Sequence, residues 1–255
     1  MINISSLLDR NMMQYFTYLP TLMEMDVTSD EKITVINSGI PSDMFNIICR
    51  VRNKDALDAA VKKIHDLEMP FACWIGFEGD YPHCERDLEK IGFFCDENES
   101  GMFVEIKKVS REKRVKDLKI FPVDDEQKLL DFIEVYREMG PQEFKAISEF
   151  YLKGKKHILD QKSLLKIFVG YLENQPVATS ALFFGGGSAG IWNVATVPEF
   201  RQRGIGTDMT CHALLQALDN FGYRIVVLAA GRLGEPVYRK IGFQKLKNFQ
   251  VFNVV

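Results

Sequence analysis

The chain has 255 residues, 46% of them hydrophobic, which is enough to form one large globular domain or two of ordinary size. A formal net charge of −3, from 32 basic and 35 acidic residues, gives no electrostatic reason to expect binding to nucleic acid or to an anionic membrane. The five cysteines form no C-x-x-C pair and no common zinc spacing, so we expect reduced thiols, no metal and a cytoplasmic location.

The first half of the chain alternates predicted helices and strands. A helix over 5–25 comes first, and because Asp9 and Arg10 break its apolar run we expect no signal peptide. No later segment approaches the roughly 18 uncharged residues of a membrane span. Periodicity and turn residues then predict strands at 32–38, 44–51, 71–77 and 101–109, and helices at 53–68 and 81–92.

Residues 107–119, "KKVSREKRVKDLK", are dense in positive charge and poor in large apolar residues. We interpret them as a linker between two domains, 1–114 and 115–255. A patch for nucleic acid or an acidic partner is the alternative, but no aromatic residues are interleaved there for base stacking.

The second half repeats the same alternation. A strand at 118–123 and helices at 125–140 and 141–158 lead to two strands within 164–186 that a turn at 173–176 joins. The remaining pattern predicts a strand at 190–197, a helix at 206–222, a buried strand at 224–231, a helix at 235–242 and one or two closing strands at 243–255. Both halves therefore contain the order strand, helix, strand, helix, strand, typical of a mixed α/β fold.

Two segments suggest that the halves are copies of one fold. "CERDLEKIGFF" at 84–94 and "EPVYRKIGFQ" at 235–244 both predict a helix that ends in Lys-Ile-Gly-Phe. Between strand and helix, however, the second half has "RQRGIGT" and the first has "RNKDALD", which contains no glycine. A duplicated fold that kept its site in one copy would have this pattern, and chance similarity of two common α/β units is the alternative.

The stretch "VPEFRQRGIGT" at 197–207 pairs arginines with glycines between a strand and a helix, as an anion site does. It is not a P-loop, because no Gly-Lys-Ser or Gly-Lys-Thr occurs in the chain. It is also no dinucleotide fingerprint, since Met209 takes the place of the third glycine.

What remains is R-x-x-G-x-G from Arg201 to Gly206, followed about thirty residues later by Tyr-x-x-x-Gly-Phe from Tyr238 to Phe243. Together the two motifs resemble the GNAT superfamily of acyl-CoA-dependent N-acyltransferases, over roughly 115–255. The resemblance implies a GNAT fold, and the segment 70–105 looks like a degenerate second copy. We therefore expect two tandem GNAT-like domains, the first without a CoA-binding loop.

The resemblance also assigns the co-substrate, acetyl-CoA, and the residues that bind it. The pyrophosphate would lie on the backbone amides at the start of the helix, and the pantetheine arm would pair with the end of the preceding strand, which splays from its neighbour. The predicted residues are Ala195, Thr196, Val197, Arg201, Gln202, Arg203, Gly204, Ile205, Gly206 and Thr207.

For the chemistry, the resemblance places Tyr238 beside the thioester sulfur as the general acid; a tyrosine that only packs under the sheet is the alternative. The strand "GIWNVATV" has Trp192 and Asn193 where many relatives carry an acidic residue, so no general base is assigned and Asn193 is a candidate for orienting water or substrate.

The sequence thus predicts an N-acetyltransferase, monomeric or homodimeric, that transfers acetyl directly to a primary amine of a small molecule or peptide, bound in the groove between the halves. Acidic residues on the helices at 125–158 would favour a cationic acceptor such as a polyamine or aminoglycoside. A non-catalytic acyl-CoA sensor is the alternative, because the strand before the motif lacks a carboxylate.

Overall fold

The computed structural model describes residues 3–106 and 114–254, so most of the predicted linker lies outside the described residues. The helices are α1 Ile4–Leu22, α2 Lys54–Leu67, α3 Cys84–Lys90, α4 Glu126–Glu134, α5 Pro141–Lys153, α6 Lys155–Ile158, α7 Ile205–Phe221 and α8 Glu235–Ile241. The strands are β1 Asp26–Ser29, β2 Thr34–Asn37, β3 Ile47–Cys49, β4 Ala72–Ile75, β5 Phe94–Glu105, β6 Lys119–Pro122, β7 Leu165–Leu172, β8 Gln175–Gly185, β9 Ser188–Thr196, β10 Ile225–Ala230 and β11 Gln244–Asn253.

The predicted order of elements is confirmed in both halves, but several single elements differ from the prediction. Strand β5 begins at Phe94 instead of residue 101, and the helix expected over 125–140 ends at Glu134. Strand β1 is additional; it is short, polar and mostly exposed, so it carries no apolar alternation to predict it. The single helix expected over 141–158 is divided at Gly154 into α5 and α6. In the described parts of the chain no helix is long and apolar enough to cross a membrane.

All eleven strands form one mixed sheet in the order β1-β2-β3-β4-β11-β5-β10-β9-β8-β7-β6. Neighbours β3 and β4 pair in parallel, as do β9 and β10, and the other neighbours are antiparallel. A helix connects each parallel pair, α2 in the first half and α7 in the second, as a parallel connection requires. The fold is therefore mixed α/β, as expected.

The two predicted halves interlock at the centre of this sheet. Strand β11, from the end of the chain, lies between β4 and β5, and β5 in turn lies between β11 and β10. Each half thus places its last strand against the other half. The division at 114/115 stays a prediction, but the sheet is continuous across it.

Both faces of the sheet are covered by helices, and the alternation of side chains along β3 illustrates this. Ile47 and Cys49 point into a core beneath α1, α4 and α5, whereas Ile48 points into the opposite core beneath α2 and α3. In the second half, α7 and α8 cover that opposite face through residues such as Met209 and Tyr238. The face beneath α1 and α5 is the one that holds the large cleft described below.

Helix α1 is tied to the second half by a fully buried side chain, Asn11. Its Nδ2 donates to the carbonyls of Gly185 and Ser188 at 2.9 and 3.1 Å, and its Oδ1 accepts from Nε1 of Trp192 at 3.2 Å. A Cβ at Gly190 would lie 2.0 Å from that Oδ1, so only glycine fits beside it. The network fixes α1 over β9.

We expect Asn11→Ala to lower the free energy of unfolding by roughly 3–5 kcal/mol, because it removes four hydrogen bonds, one of them to the Phe183 carbonyl, and leaves buried carbonyl and indole groups without that partner. Urea denaturation would measure the loss. The matched variant Asn220→Ala, at an exposed position on α7, should change stability by roughly 0.5 kcal/mol or less. Equal effects of the two variants would contradict the role given to Asn11.

Candidate active site

The predicted anion loop forms the N-terminus of α7. Gln202 and Gly204 have positive φ angles of 61° and 90°, and Gly204 is the N-cap, which offers no side chain to bond the first amides. The backbone N–H groups of residues 202–207 donate to no other described residue, while the next one, of Asp208, bonds the Gly204 carbonyl. A helix start with free amides and its positive dipole end is suited to an anion.

The two glycines of the loop have different roles. Gly204 is required by its backbone, since φ of 90° strains any other residue and an added Cβ would lie 3.2 Å from Cβ of Arg114. At Gly206 an added Cβ would meet a single protein atom within 4 Å, Oγ1 of Thr196 at 3.8 Å. The space above Gly206 is therefore open on the side from which a ligand would approach.

Both arginines of the loop already contact protein groups. Arg201 Nε donates to the carbonyl of Thr196 at 3.0 Å, which fixes the end of β9. The Arg203 guanidinium lies 5.3 Å from the ring centre of Phe200. Ligand contact by either arginine stays a prediction.

Strands β9 and β10 separate beside this loop. They pair only through Val226 with Ala189 and Val227 with Gly190, so β9 beyond Gly190 has no β10 partner within the described chain. On its other side β9 stays paired with β8 up to Thr196, across a bulge. The backbone edge that leads to Ala195 and Thr196 is therefore open towards β10, as the splayed strand of the prediction requires.

Tyr238 lies on α8, and its side chain is 8% exposed. Its ring contacts Phe243 edge to face, and an added Cβ at Gly234 would lie 2.9 Å from it, so the phenol is closely held. Burial raises the pKa of Tyr238 well above its usual range, and the nearby charges of Glu99 and Tyr136 raise it further. Among the described residues, the hydroxyl of Tyr238 has no hydrogen-bond partner.

Glu99 is the carboxylate that sequence reasoning missed. It is half-buried on β5, opposite Phe249 of β11, and the next residue, Ser100, pairs with Ala230 at the end of β10. Its Oε1 lies 3.9 Å from the position of a Cβ on Gly231. Removal from water, with the charge of Glu97, raises the pKa of Glu99 to about 7. A carboxyl with this pKa exchanges protons near neutral pH.

A cleft of about 530 Å³ opens between the two halves on the α1 face. Tyr15 and Trp74 of the first half and Tyr136, Tyr151 and Asn193 of the second are among its lining residues. Its size is that of a pocket for a small organic molecule.

Asn193 connects this cleft to the splayed strand. It sits at the β9 bulge with φ of 53°; its Oδ1 accepts from the hydroxyl of Tyr15, and its Nδ2 donates to that of Tyr151. Its carbonyl accepts from the hydroxyl of Tyr136 at 3.2 Å. The sequence makes Asn193 a candidate for orienting water or substrate, and Tyr136 and Tyr151 lie in the region 125–158 that was expected to shape the acceptor site. Tyr15 was not predicted, because it lies on a helix distant in sequence.

Other candidate groups do not form a site. Among the residues the structure describes, no cluster of three or more His, Cys, Asp or Glu side chains could hold a metal ion. In the first half, the side chain of Asn53 caps α2 by accepting from the Ala56 amide, and β3 pairs with β4 along its whole length. The position that corresponds to the anion loop is thus closed there.

Comparisons with known proteins agree with these features. The family model described as "Acetyltransferase (GNAT) domain" matches residues 163–245, a shorter segment than the 115–255 inferred from the motifs. A search of the curated proteins found no significant match.

Several solved structures share the fold across nearly the whole chain. A GCN5-related N-acetyltransferase from Kribbella flavida is 12% identical, with a TM-score of 0.69 over 96% of this chain and 95% of that one. A conserved protein of unknown function from Staphylococcus epidermidis ATCC 12228 is 16% identical, with a TM-score of 0.65 over 91% and 94%. A tandem GNAT protein of the clavulanic acid biosynthesis pathway is 9% identical, with a TM-score of 0.58 over 87% and 78%.

At these identities the structural neighbours establish the fold alone. The family model matches the segment that contains the anion loop, the splayed strands and Tyr238. The segment 163–245 therefore matches the GNAT acetyltransferase family model, and the chain as a whole has the mixed α/β fold of the GNAT structures.

Proposed function

We propose that this protein transfers the acetyl group of acetyl-CoA directly to a primary amine of a small molecule or peptide. The observation that carries the proposal is the row of amides at the start of α7 that bond no described residue and lie beside the open edge of β9. A phosphate needs such amides, and an extended amide-containing arm needs such a strand edge.

The residues fit this co-substrate at both ends. The amides of residues 203–207 would hold the pyrophosphate, and the open space at Gly206 allows it to approach the backbone. The edge of β9 from Ala195 to Val197 would bond the pantetheine arm, although the Thr196 carbonyl is already taken by Arg201. Arg203 and Gln202 lie on the same turn and would add contacts at its rim.

Bound acetyl-CoA supplies the acetyl group as a thioester, so the enzyme must remove a proton from the amine and supply one to the departing sulfur. The raised pKa keeps the Tyr238 phenol protonated at neutral pH, ready to donate its proton. An amine that arrives as an ammonium ion first loses one proton to solvent. The Glu99 carboxylate accepts the second proton as the C–N bond forms and the C–S bond breaks, and exchange with solvent then restores both groups. No covalent bond to the protein is needed.

The sensor alternative rests on the absence of a carboxylate from β9, where Trp192 and Asn193 stand. Glu99 weakens that objection, because β5 places a carboxylate beside Gly231, close enough to Tyr238 to raise the pKa of that phenol. The sensor hypothesis would be rejected if free CoA thiol were released faster in the presence of an amine than by hydrolysis in its absence.

The closed arrangement in the first half supports a single CoA site. Asn53 takes up an amide of α2 that a phosphate would need, and the full pairing of β3 with β4 leaves no gap for a pantetheine arm. We propose that 1–114 is a GNAT-like domain that contributes walls and a carboxylate to the site of the second half.

Replacement of Gly206 tests donor binding directly. At saturation near a hundred times its dissociation constant, acetyl-CoA should stabilise the wild type by roughly 2.7 kcal/mol, a rise in melting temperature of roughly 5 °C or more. NAD and ATP should stabilise it less. Gly206→Glu should abolish the shift by filling the open space and repelling phosphate, while Gly206→Ala, free of clashes, should weaken it without loss of fold.

The control is Gln216→Glu, which adds the same charge near the other end of α7 and should keep the full shift. If wild-type protein, shown to be folded, does not respond to acetyl-CoA, the proposed function is wrong.

A further inference from the structure

The side chains that line the cleft between the halves indicate which class of molecule fits there. Apolar and aromatic side chains make up most of its walls, contributed by α1, the loop before β3, β4 and α5. Phe45 of the first half stacks on Phe150 of α5, with ring centres 4.0 Å apart, and Phe16 packs against Trp74 at 5.4 Å. These rings form a wall on which a flat apolar group can stack.

Charge in the cleft is of one sign. Four carboxylates lie along it, Asp43, Asp96, Glu97 and Glu143, and no Lys, Arg or His is among the described residues that line it. Burial raises the pKa of Asp43, backbone N–H groups of Asp43 and Met44 lower it in part, and the charges of Asp96 and Glu143 raise it further. A cation bound there would relieve this repulsion, and the aromatic faces would also attract it.

The polar groups of the inner wall suit an amine. The side-chain oxygen of Asn253 is buried beside the cleft and has no hydrogen-bond partner among the described residues, while its Nδ2 donates to Oδ2 of Asp96 at 3.2 Å. Asn193 lines the cleft and also belongs to the splayed part of β9. An amine that enters the cleft thus reaches the strand edge where the acetyl donor is proposed to lie.

Because apolar walls outweigh the polar ones, a polyamine or an aminoglycoside is a poor match, since either would lose hydration without gaining apolar contact. We propose that the acceptor is a monoamine, bound as a cation by the carboxylates of the cleft, whose apolar and preferably aromatic body stacks on the Phe45–Phe150 and Phe16–Trp74 walls. This inference rests on the proposed function, since it names the acceptor class of that site.

Calorimetric titration of the full chain, with and without saturating CoA, tests the inference through four probes. They are 2-phenylethylamine, 2-phenylethanol, which lacks the cation, propylamine, which lacks the aromatic body, and spermidine. We expect 2-phenylethylamine to bind at least about tenfold more tightly than each of the others, because only it combines apolar burial with charge attraction. Equal binding of the alcohol, tighter binding of spermidine, or no binding of 2-phenylethylamine would overturn the inference.

Two charge variants sharpen the test. The double variant Asp43→Asn, Glu143→Gln should weaken 2-phenylethylamine about fivefold or more and leave 2-phenylethanol unchanged. The matched control Glu149→Gln, on α5 but outside the cleft lining, should leave both unchanged. An unchanged affinity of the double variant would remove the carboxylates from the recognition of the amine.

The outcome is separable from that of the proposed function. If 2-phenylethylamine binds selectively, also in Gly206→Glu, but no amine is acetylated, the amine selectivity of the cleft stands, whereas the acetyltransferase proposal fails and the amine is not an acceptor. If amines are acetylated regardless of body and charge, the proposed function stands and the acceptor class is wrong.

Discussion

Replacing Tyr238 by Phe should lower the rate of acetyl transfer by roughly a hundredfold or more, the usual contribution of a positioned general acid. The variant keeps the ring that packs against Phe243 and loses only a hydroxyl that bonds no described residue. Its stability and its affinity for acetyl-CoA should therefore stay close to those of the wild type. Steady-state rates with saturating donor and amine would measure the loss.

The matched control is Tyr223→Phe, since that tyrosine stacks on Phe184 away from the splayed strands. It should retain the wild-type rate. An undiminished rate in Tyr238→Phe would mean that water protonates the thiolate, and Tyr238 would then be a packing residue, the alternative that its burial alone would support. A marked fall in the melting temperature of Tyr238→Phe would also indicate a packing role.

The local parts of this molecule could be predicted from its sequence. The loop from Arg201 to Gly206 and the helix that ends at Gly242 are defined by residues within a few positions of one another. A glycine with positive φ, a proline at the first helical turn and an amphipathic helix can each be recognised from a few neighbouring residues of the sequence. The proposed donor site consists of such parts, so its motifs could be recognised in the sequence.

The acceptor half could not be predicted in the same way, because it depends on pairing between distant strands. Glu99 belongs to the acidic run "DENES", which has the composition of a solvated turn. Only the position of β5 between β10 and β11 brings it towards Tyr238, and no local pattern encodes that neighbour. Tyr15 likewise reaches Asn193 because Asn11 fixes α1 over β9.

The interlocked sheet also explains why a half without a CoA loop would be retained. If 1–114 contributed only bulk, its strands could separate from the second half without loss of the site. Instead β5 supplies Glu99, α1 supplies Tyr15, and β4 supplies Trp74 of the cleft wall. A site that binds its donor on one half and its acceptor between both halves requires the two to fold as one unit.

Replacing Glu99 by Gln should remove the group that takes the amine proton, and at pH 8 it should slow acetyl transfer by roughly a hundredfold. In the wild type the rate should rise with pH through about 7, because the Glu99 carboxyl must be deprotonated to act and its pKa is about 7. The pH–rate profile therefore has an acid limb, in which the rate falls below pH 7 because protonation of Glu99 inactivates it as a base. The pKa of Tyr238 lies too high to produce a falling limb at neutral pH.

In Glu99→Gln the rate should no longer change steeply near pH 7. Only the shallower pH dependence that comes from protonation of the amine should remain, and measuring both proteins with the same amine separates the two effects. Glu97→Gln should shift the limb to lower pH, because the charge of Glu97 helps to raise the pKa of Glu99. Glu105→Gln, on the same strand, should leave the limb in place. If Glu99→Gln keeps the acid limb, another group acts as the base. If the limb moves in Glu97→Gln and vanishes in Glu99→Gln, the base is Glu99, a carboxylate of the first half.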